Sequence, residues 1–245
     1  MDTNTRSPFT SLFDDPNLAV TVDGHPAVFQ SELRSKFDVL VLYDMVHDFS
    51  DEAKRNNLKR FVEAGKGVVV IHHALGDYNQ WPYWYEEVTG GRFVAKPDGK
   101  LGALQYEHDQ KLLVTVEKKH PVTAGLGSFT VQDETYKGMW ISPKVEVLLR
   151  TNHSLSDGSL AWIGPHRESR VVCIQLGHDQ YSHRDANYRK LVLNAIRWTG
   201  EKKPQARFGL SKRAGSVSTA QSAWSTPPTA TPTIRKGKSK IHRIG

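Results

Sequence analysis

Gly65 to Phe93, GKGVVVIHHALGDYNQWPYWYEEVTGGRF, constrains the fold more than any other stretch. Lys66 to Ile71 is a short continuous Val/Ile run of the kind buried on both faces of a parallel sheet. It ends in His72 and His73 and is followed by a dense aromatic block. Ligands of open α/β sheets bind beyond the carboxyl ends of the strands, which is where the two histidines fall.

Further β-type runs recur along the chain: Leu18 to Val22, Phe37 to Asp44, Gly67 to His73, Lys111 to Val116, Val145 to Thr151, Leu160 to Gly164 and Arg170 to Gly177. They alternate with helical or loop segments, the pattern of a mostly parallel sheet with helices on its faces. One helix is predicted after Ser50 as N-cap, with Asp51 and Glu52 in its first turn. Leu58, Phe61 and Val62 form its apolar stripe and Gly65 closes it. A second places Tyr188, Leu191, Val192, Ala195 and Trp198 on one face and stops at Gly200.

The charge is unevenly spread. From Glu201 to Gly245 ten Lys and Arg stand against one acid, so the tail carries +9 of a net +7 and the preceding 200 residues carry −2. Few apolar residues offset the entropy of ordering that tail, which is expected to be disordered. The domain plan is a polar segment over 1–17, a folded domain over 18–200 and a basic tail over 201–245. Cys173 is the one cysteine, which rules out an intramolecular disulfide and a Cys-based zinc site. Neither a signal peptide nor an apolar run of membrane-spanning length is visible, so a soluble, cytoplasmic protein is expected.

Six blocks in order, IHHA, WYEEVTGGRF, EKKHPVTAGL, DETY, QLGHD and NAIRW, give the chain a resemblance to the ThuA-like, or trehalose-utilisation, family over roughly Val20 to Gly200. The resemblance implies a flavodoxin-like, class I glutamine amidotransferase-like α/β fold. Such proteins open with an apolar strand leading into a loop with Gly and His, whereas here the first strand-like run is Leu18 to Val22. The expectation is therefore a sheet without its usual central first strand, with Phe9 to Phe13 as a poor substitute or the flanking strands paired directly. An unpaired backbone edge near Val39 to Tyr43 would then leave oligomerisation open.

Glutamine hydrolysis is not expected. It needs a cysteine thiolate on a tight strand-to-helix turn, and the turn after the Val/Ile run holds His72 and His73, while Cys173 sits inside the apolar run RVVCIQL. The chemistry left to the strand ends lies with His72, His73, Glu107, His108, Asp133, Glu134, His178 and Asp179. Imidazole and carboxylate together perform acid/base work near neutral pH or hold a divalent metal. The spacing matches no established metal signature such as H-E-x-x-H, so the cofactor stays open between none and a divalent metal.

Side chains alternate along a strand, so only one of His72 and His73 is expected to face the site. The family's strand-end histidine favours His73. The catalytic set expected is His73, Glu107, Glu134 and His178, converging in one cleft beside Trp81 or Tyr83, with Asp179 orienting the His178 ring. Trp81, Tyr83, Tyr136 and Trp140 are the candidate sugar platforms, since flat rings with polar edges pack on sugar C–H faces. His120 before Pro121 is expected to fix a turn. The resemblance implies a small-molecule sugar partner, a disaccharide or keto-glycoside, and a hydrolase or lyase. The alternative is a catalytically inactive binding or regulatory relative truncated at the N-terminus. No membrane partner is expected, and nucleic acid only through non-specific contact with the basic tail.

Overall fold

The computed structural model describes residues 7–45, 49–94, 96–99 and 101–201, together with the backbone of 239–244. In chain order the strands are β1 (Leu18–Asp23), β2 (Val39–Leu42), β3 (Gly67–Ile71), β4 (Gly91–Arg92), β5 (Gln105–Val116), β6 (Phe129–Lys137), β7 (Trp140–Ile141), β8 (Glu146–Arg150), β9 (Ser159–Ile163), β10 (Val171–Ile174) and β11 (Ser239–Ile244). The α-helices are α1 (Glu52–Glu63), α2 (Gln180–Arg184) and α3 (Ala186–Gly200). A nine-stranded sheet runs in the order β1-β11-β2-β3-β10-β9-β8-β5-β6, and β4 pairs separately with β7.

The sheet is α/β but mixed, which corrects the expectation of a mostly parallel one. From β1 to β10 every pairing is parallel; from β10 through β9, β8 and β5 to β6 every pairing is antiparallel. The antiparallel part contains β6, which the run-based reading does not find. Its sequence FTVQDETYK alternates apolar and polar residues only at the start, and its second half buries Asp133, Glu134, Thr135 and Tyr136 together.

The central strand is present, supplied from the far end of the sequence. β11 lies between β1 and β2, parallel to both, with Val20 opposite Ile241 on one side and Val39 opposite Ile241 on the other. Val39 to Leu42 thus has β-partners on both sides, with Gly67 to Val70 across from it, and the unpaired edge expected there does not occur. Phe9 to Phe13 is not a substitute strand. It closes in a 3-10 turn, and Phe9, Leu12 and Phe13 are buried. Residues 202–238 of the tail expected to be disordered lie outside the described residues.

Strict alternation within the parallel strands sorts the core into two faces. Val39, Val41, Val69, Ile71, Val172 and Ile174 pack on one side with Tyr188, Leu191, Val192, Ala195 and Ile196 of α3. Leu40, Leu42, Val68, Val70, Val171 and Cys173 pack on the other with Leu58, Phe61 and Val62 of α1. Each fully buried Val, Leu, Ile or Phe among them contributes about 1.5–3 kcal/mol by leaving water, so both layers are needed. Helices on both faces thus follow from the sequence pattern. The cap of α1 is Asp51, whose carboxylate accepts the Lys54 N–H at 3.2 Å, one residue beyond the Ser50 expected. Among the described residues no helix is long and apolar enough to cross a membrane.

β5 joins the main sheet only through Thr115 and Val116, which pair with β8. Its remaining length, Gln105 to Val114, pairs with β6 alone. The β5–β6 ribbon is therefore free to turn out of the sheet, and it reaches the segment after β10: the Ser182 hydroxyl lies 3.0 Å from the Gln132 carbonyl oxygen.

Candidate active site

Three segments deliver the functional side chains. The first is the exit from β3. His72 has φ of 56°, in the left-handed region, which costs a residue with a Cβ roughly 1–2 kcal/mol and is tolerated mainly at functional sites. The chain has therefore left the strand conformation at His72, pleat alternation no longer applies, and His72 and His73 line one cleft. His72, not His73, makes the central hydrogen bonds. Its Nδ1 lies 3.0 Å from the Gln175 carbonyl oxygen; a carbonyl only accepts, so Nδ1 carries the hydrogen. Its Nε2 lies 3.1 Å from His178 Nδ1, 3.3 Å from Glu134 Oε2 and 3.0 Å from Tyr136 Oη.

The second segment follows β10. Gly177 has φ of 120°, and a Cβ there would run into the Tyr188 hydroxyl, so only glycine makes this turn. The Gly177 and His178 N–H groups donate to the Asp133 carboxylate at 2.7 and 3.0 Å, and the Ser182 hydroxyl donates to it at 2.6 Å. Asp133 thus ties the turn to β6 and sets His178. Asp179, expected in that role, instead caps α2 by accepting the Tyr181 N–H at 2.8 Å.

The third segment is the β5–β6 ribbon. Glu134 and Tyr136 are two residues apart and share a face, and the Tyr136 hydroxyl donates to Glu134 Oε2. The other carboxylate oxygen, Oε1, lies 3.1 Å from His108 Nδ1. His178 Nδ1 lies 3.4 Å from Oε2. On β5, Tyr106 and His108 line the cleft. Glu107 between them is exposed and lines a separate groove with Lys137 and Leu155. Strand alternation therefore removes Glu107 from the expected set.

Burial raises the affinity of the Glu134 carboxyl for its proton, but the adjoining His72 imidazole, the Tyr136 hydroxyl and the His178 imidazole outweigh this and hold it below the ordinary value. Glu134 is a carboxylate at neutral pH. Burial, then the carboxylate beside it, pushes the Tyr136 phenol well up, so it keeps its hydrogen. Burial, followed by the His72 and His178 charges, lowers the His73 imidazole to about 4, so it is neutral under physiological conditions. The arrangement combines one ionised base, one phenolic donor and imidazoles able to accept or pass a proton.

The cleft above this floor has a volume of about 400 Å³. Met45, Phe93, Leu104 and Tyr106 give it apolar walls. Gly76 keeps it open, since a Cβ there would collide with the Phe93 ring. The aromatic block expected to flank it lies elsewhere. Trp81 stacks on Trp84 at 6.2 Å between ring centroids, and the Arg55 guanidinium sits 5.6 Å over its ring. Tyr83 lies under Lys59 and near His166, and Trp140 on β7 meets Tyr85 edge-on. A π-helical turn over Tyr83–Thr89 packs this block on the sheet. Tyr136 is the expected platform that does line the cleft.

His120 accepts the Val122 N–H at 3.2 Å and fixes a turn. Cys173 is fully buried, and burial pushes its thiol up, away from nucleophilic use. Sequence reasoning did not single out Met45, Phe93, Leu104 or Tyr106. Of these, Tyr106 carries a signal, lying two residues before His108 and so on the same strand face.

A family model described as "ThuA: Trehalose utilisation" matches residues 3–199. No match is found among curated proteins. Among solved structures, a ThuA-like protein from Parabacteroides merdae ATCC 43184 superposes with a TM-score of 0.56 at 21% identity, covering 68% of this chain and 73% of its own. One from Bacteroides uniformis ATCC 8492 gives 0.54 at 24% identity, covering 70% and 74%. A cytoplasmic protein from Salmonella typhimurium LT2 gives 0.54 at 15% identity, covering 80% and 86%. At these identities the structures speak to the fold alone. With the family model spanning most of the sequence, from the first turn to the end of α3, the chain belongs to the ThuA, or trehalose-utilisation, family.

Proposed function

We propose that the chain is a carbohydrate-processing enzyme acting on a disaccharide or keto-glycoside through His/carboxylate chemistry at Glu134, Tyr136, His72 and His178. The observation carrying this reading is convergence: β3, β6 and β10, remote in sequence, bring an ionised carboxylate, a phenol and two imidazoles within hydrogen-bond reach at the floor of one cleft. Sheet packing alone does not require such a gathering. The cleft volume of about 400 Å³ is in the range of small-molecule sites. The family description, trehalose utilisation, supports a sugar as the substrate class.

The donor set favours proton abstraction beside a carbonyl over a two-carboxylate glycosidase mechanism. Glycosidases of that kind flank the bond with two carboxyl groups, one of them free to act as acid. Among the described residues the carboxylate nearest in sequence to Glu134 is Asp133, and it is occupied by Gly177, His178 and Ser182. In a keto-sugar, Glu134 takes the proton next to the carbonyl, and Tyr136 or an imidazole donates to the oxygen on which charge develops.

The test is turnover and saturation binding of the full chain with a panel of disaccharides and keto-glycosides. Glu134→Gln is expected to lower kcat by about 100-fold or more while keeping a cooperative thermal transition. No interaction with any member of the panel would end the sugar reading. Binding without turnover would favour an inactive relative.

A further inference from the structure

The three atoms at the centre of the cluster, His72 Nε2, Glu134 Oε2 and His178 Nδ1, form a nearly equilateral triangle with edges of 3.1, 3.3 and 3.4 Å. Each of the three atoms can turn a lone pair to one point between them. His72 Nδ1 is committed as a donor to the Gln175 carbonyl at 3.0 Å, so in the neutral ring Nε2 offers a lone pair. That lone pair faces a second imidazole nitrogen and a carboxylate oxygen. Tyr136 donates its one hydrogen to Glu134.

A cation at the centre would be met by a lone pair from each of the three atoms. The geometry matches in size as well as sign. Zinc bound by histidine and carboxylate at about 2.0–2.1 Å in a tetrahedron has ligand–ligand edges of about 3.3–3.4 Å. An octahedral ion at similar bond lengths would need edges of about 2.8–3.0 Å.

We propose that His72, Glu134 and His178 are the protein ligands of a divalent first-row metal ion, zinc by the fit of the triangle. The surroundings are those of a ligating set. The His72 Nδ1–H bond to a backbone carbonyl fixes the tautomer that frees Nε2. His108 holds the carboxylate's other oxygen at 3.1 Å, leaving Oε2 for the ion. Three protein ligands leave a fourth position for water or a substrate oxygen, as in catalytic rather than structural zinc sites. When bound, the ion would polarise a substrate carbonyl or lower the pKa of a bound water. The inference rests on the same cleft as the sugar reading and deepens it, with His73, which lines that cleft, taking the proton in place of Glu134.

The full chain, stripped with chelator and dialysed, is titrated with Zn²⁺ and separately with Co²⁺. Elemental analysis, the visible absorption of the cobalt form and the thermal midpoint are the readouts. One equivalent of zinc, a cobalt spectrum of low-coordinate type and a raised midpoint are expected. Affinity should fall at least about 100-fold in His178→Ala and Glu134→Gln. His178 is a third exposed and Glu134→Gln keeps the side-chain shape, so both variants retain a route to the folded state that a change at buried His72 would endanger. Zinc well below one equivalent, or equally tight binding in both variants, overturns the proposal. Stoichiometric zinc without action on any sugar leaves the metal site and removes the sugar reading. Turnover by zinc-depleted protein that persists in chelator does the reverse.

Discussion

The parallel and antiparallel halves of the sheet build the same site by different means. In the parallel half, strands from distant parts of the sequence lie side by side, β2, β3 and β10 buried on both faces, and contribute residues at their carboxyl ends: His72 after β3 and His178 after β10. In the antiparallel half, neighbours are mostly close in sequence, and β6 contributes Glu134 and Tyr136 from the middle of a strand face. Asp133 is the fastening between them, with its carboxylate on the turn after β10 and its backbone in β6. A strand end aims a residue by where the chain stops; a strand face aims it by register. The site needs both.

The largest effect should come from ending the chain at Lys238, which removes β11 and leaves β1 and β2 facing each other across an empty strand position. Loss of paired backbone on both sides should consume most of a typical folding free energy of about 5–15 kcal/mol. Size-exclusion chromatography and thermal unfolding should show aggregated or non-cooperative protein. A truncated chain with an unchanged sharp transition would mean that the parallel half stands without its central strand.

Asp133→Asn tests the fastening itself. The carboxylate accepts from three donors, and an amide offers only one accepting oxygen, so about 2–4 kcal/mol of stability should be lost. His178 should be misplaced as well. Denaturant unfolding read with zinc affinity separates the two consequences; a stable variant with unaltered affinity would show that the halves are held together elsewhere.

A smaller effect, confined to the parallel half, concerns Asp44 just after β2. Burial raises its carboxyl from the ordinary 3.8 to about 6, beside Asp77 and the Tyr78 hydroxyl. Between those values the folded state keeps a proton that the unfolded state has released, so stability falls as pH rises through the window and levels off above about 6. Asp44→Asn should match the parent below pH 4 and exceed it by about 3 kcal/mol at pH 7. Urea midpoints measured across this range would check it; parallel pH profiles for parent and variant would remove Asp44 as the cause.

The strands of the parallel half were legible because continuous apolar runs such as VLVL and GVVVI have few other places to go. Strand-end histidines were legible for the same reason. The choice between His72 and His73 was not, because it turns on a left-handed backbone at a residue with a Cβ, which no side-chain pattern announces. β6 was missed because its buried face carries polar groups satisfied only by distant partners, Asp133 by the turn at Gly177 and Glu134 by His72. Glu107 was misplaced because a strand was recognised only from Lys111 onward, whereas β5 begins at Gln105 and its alternation sends Glu107 outward. The aromatic block looked like a sugar platform since its packing against α1 and the sheet depends on tertiary context.

The position of β11 also bears on the order of events during synthesis. A chain emerging from the ribosome can pair β5 with β6 and β8 with β9 as soon as those neighbours are out. The slot between β1 and β2 stays open until residue 244 has been made, more than two hundred residues after β1. Closing so long a loop is slow, and until then the two flanking strands expose hydrogen-bonding edges to the cell. Newly made protein should therefore depend on chaperones for its oldest strands rather than its newest.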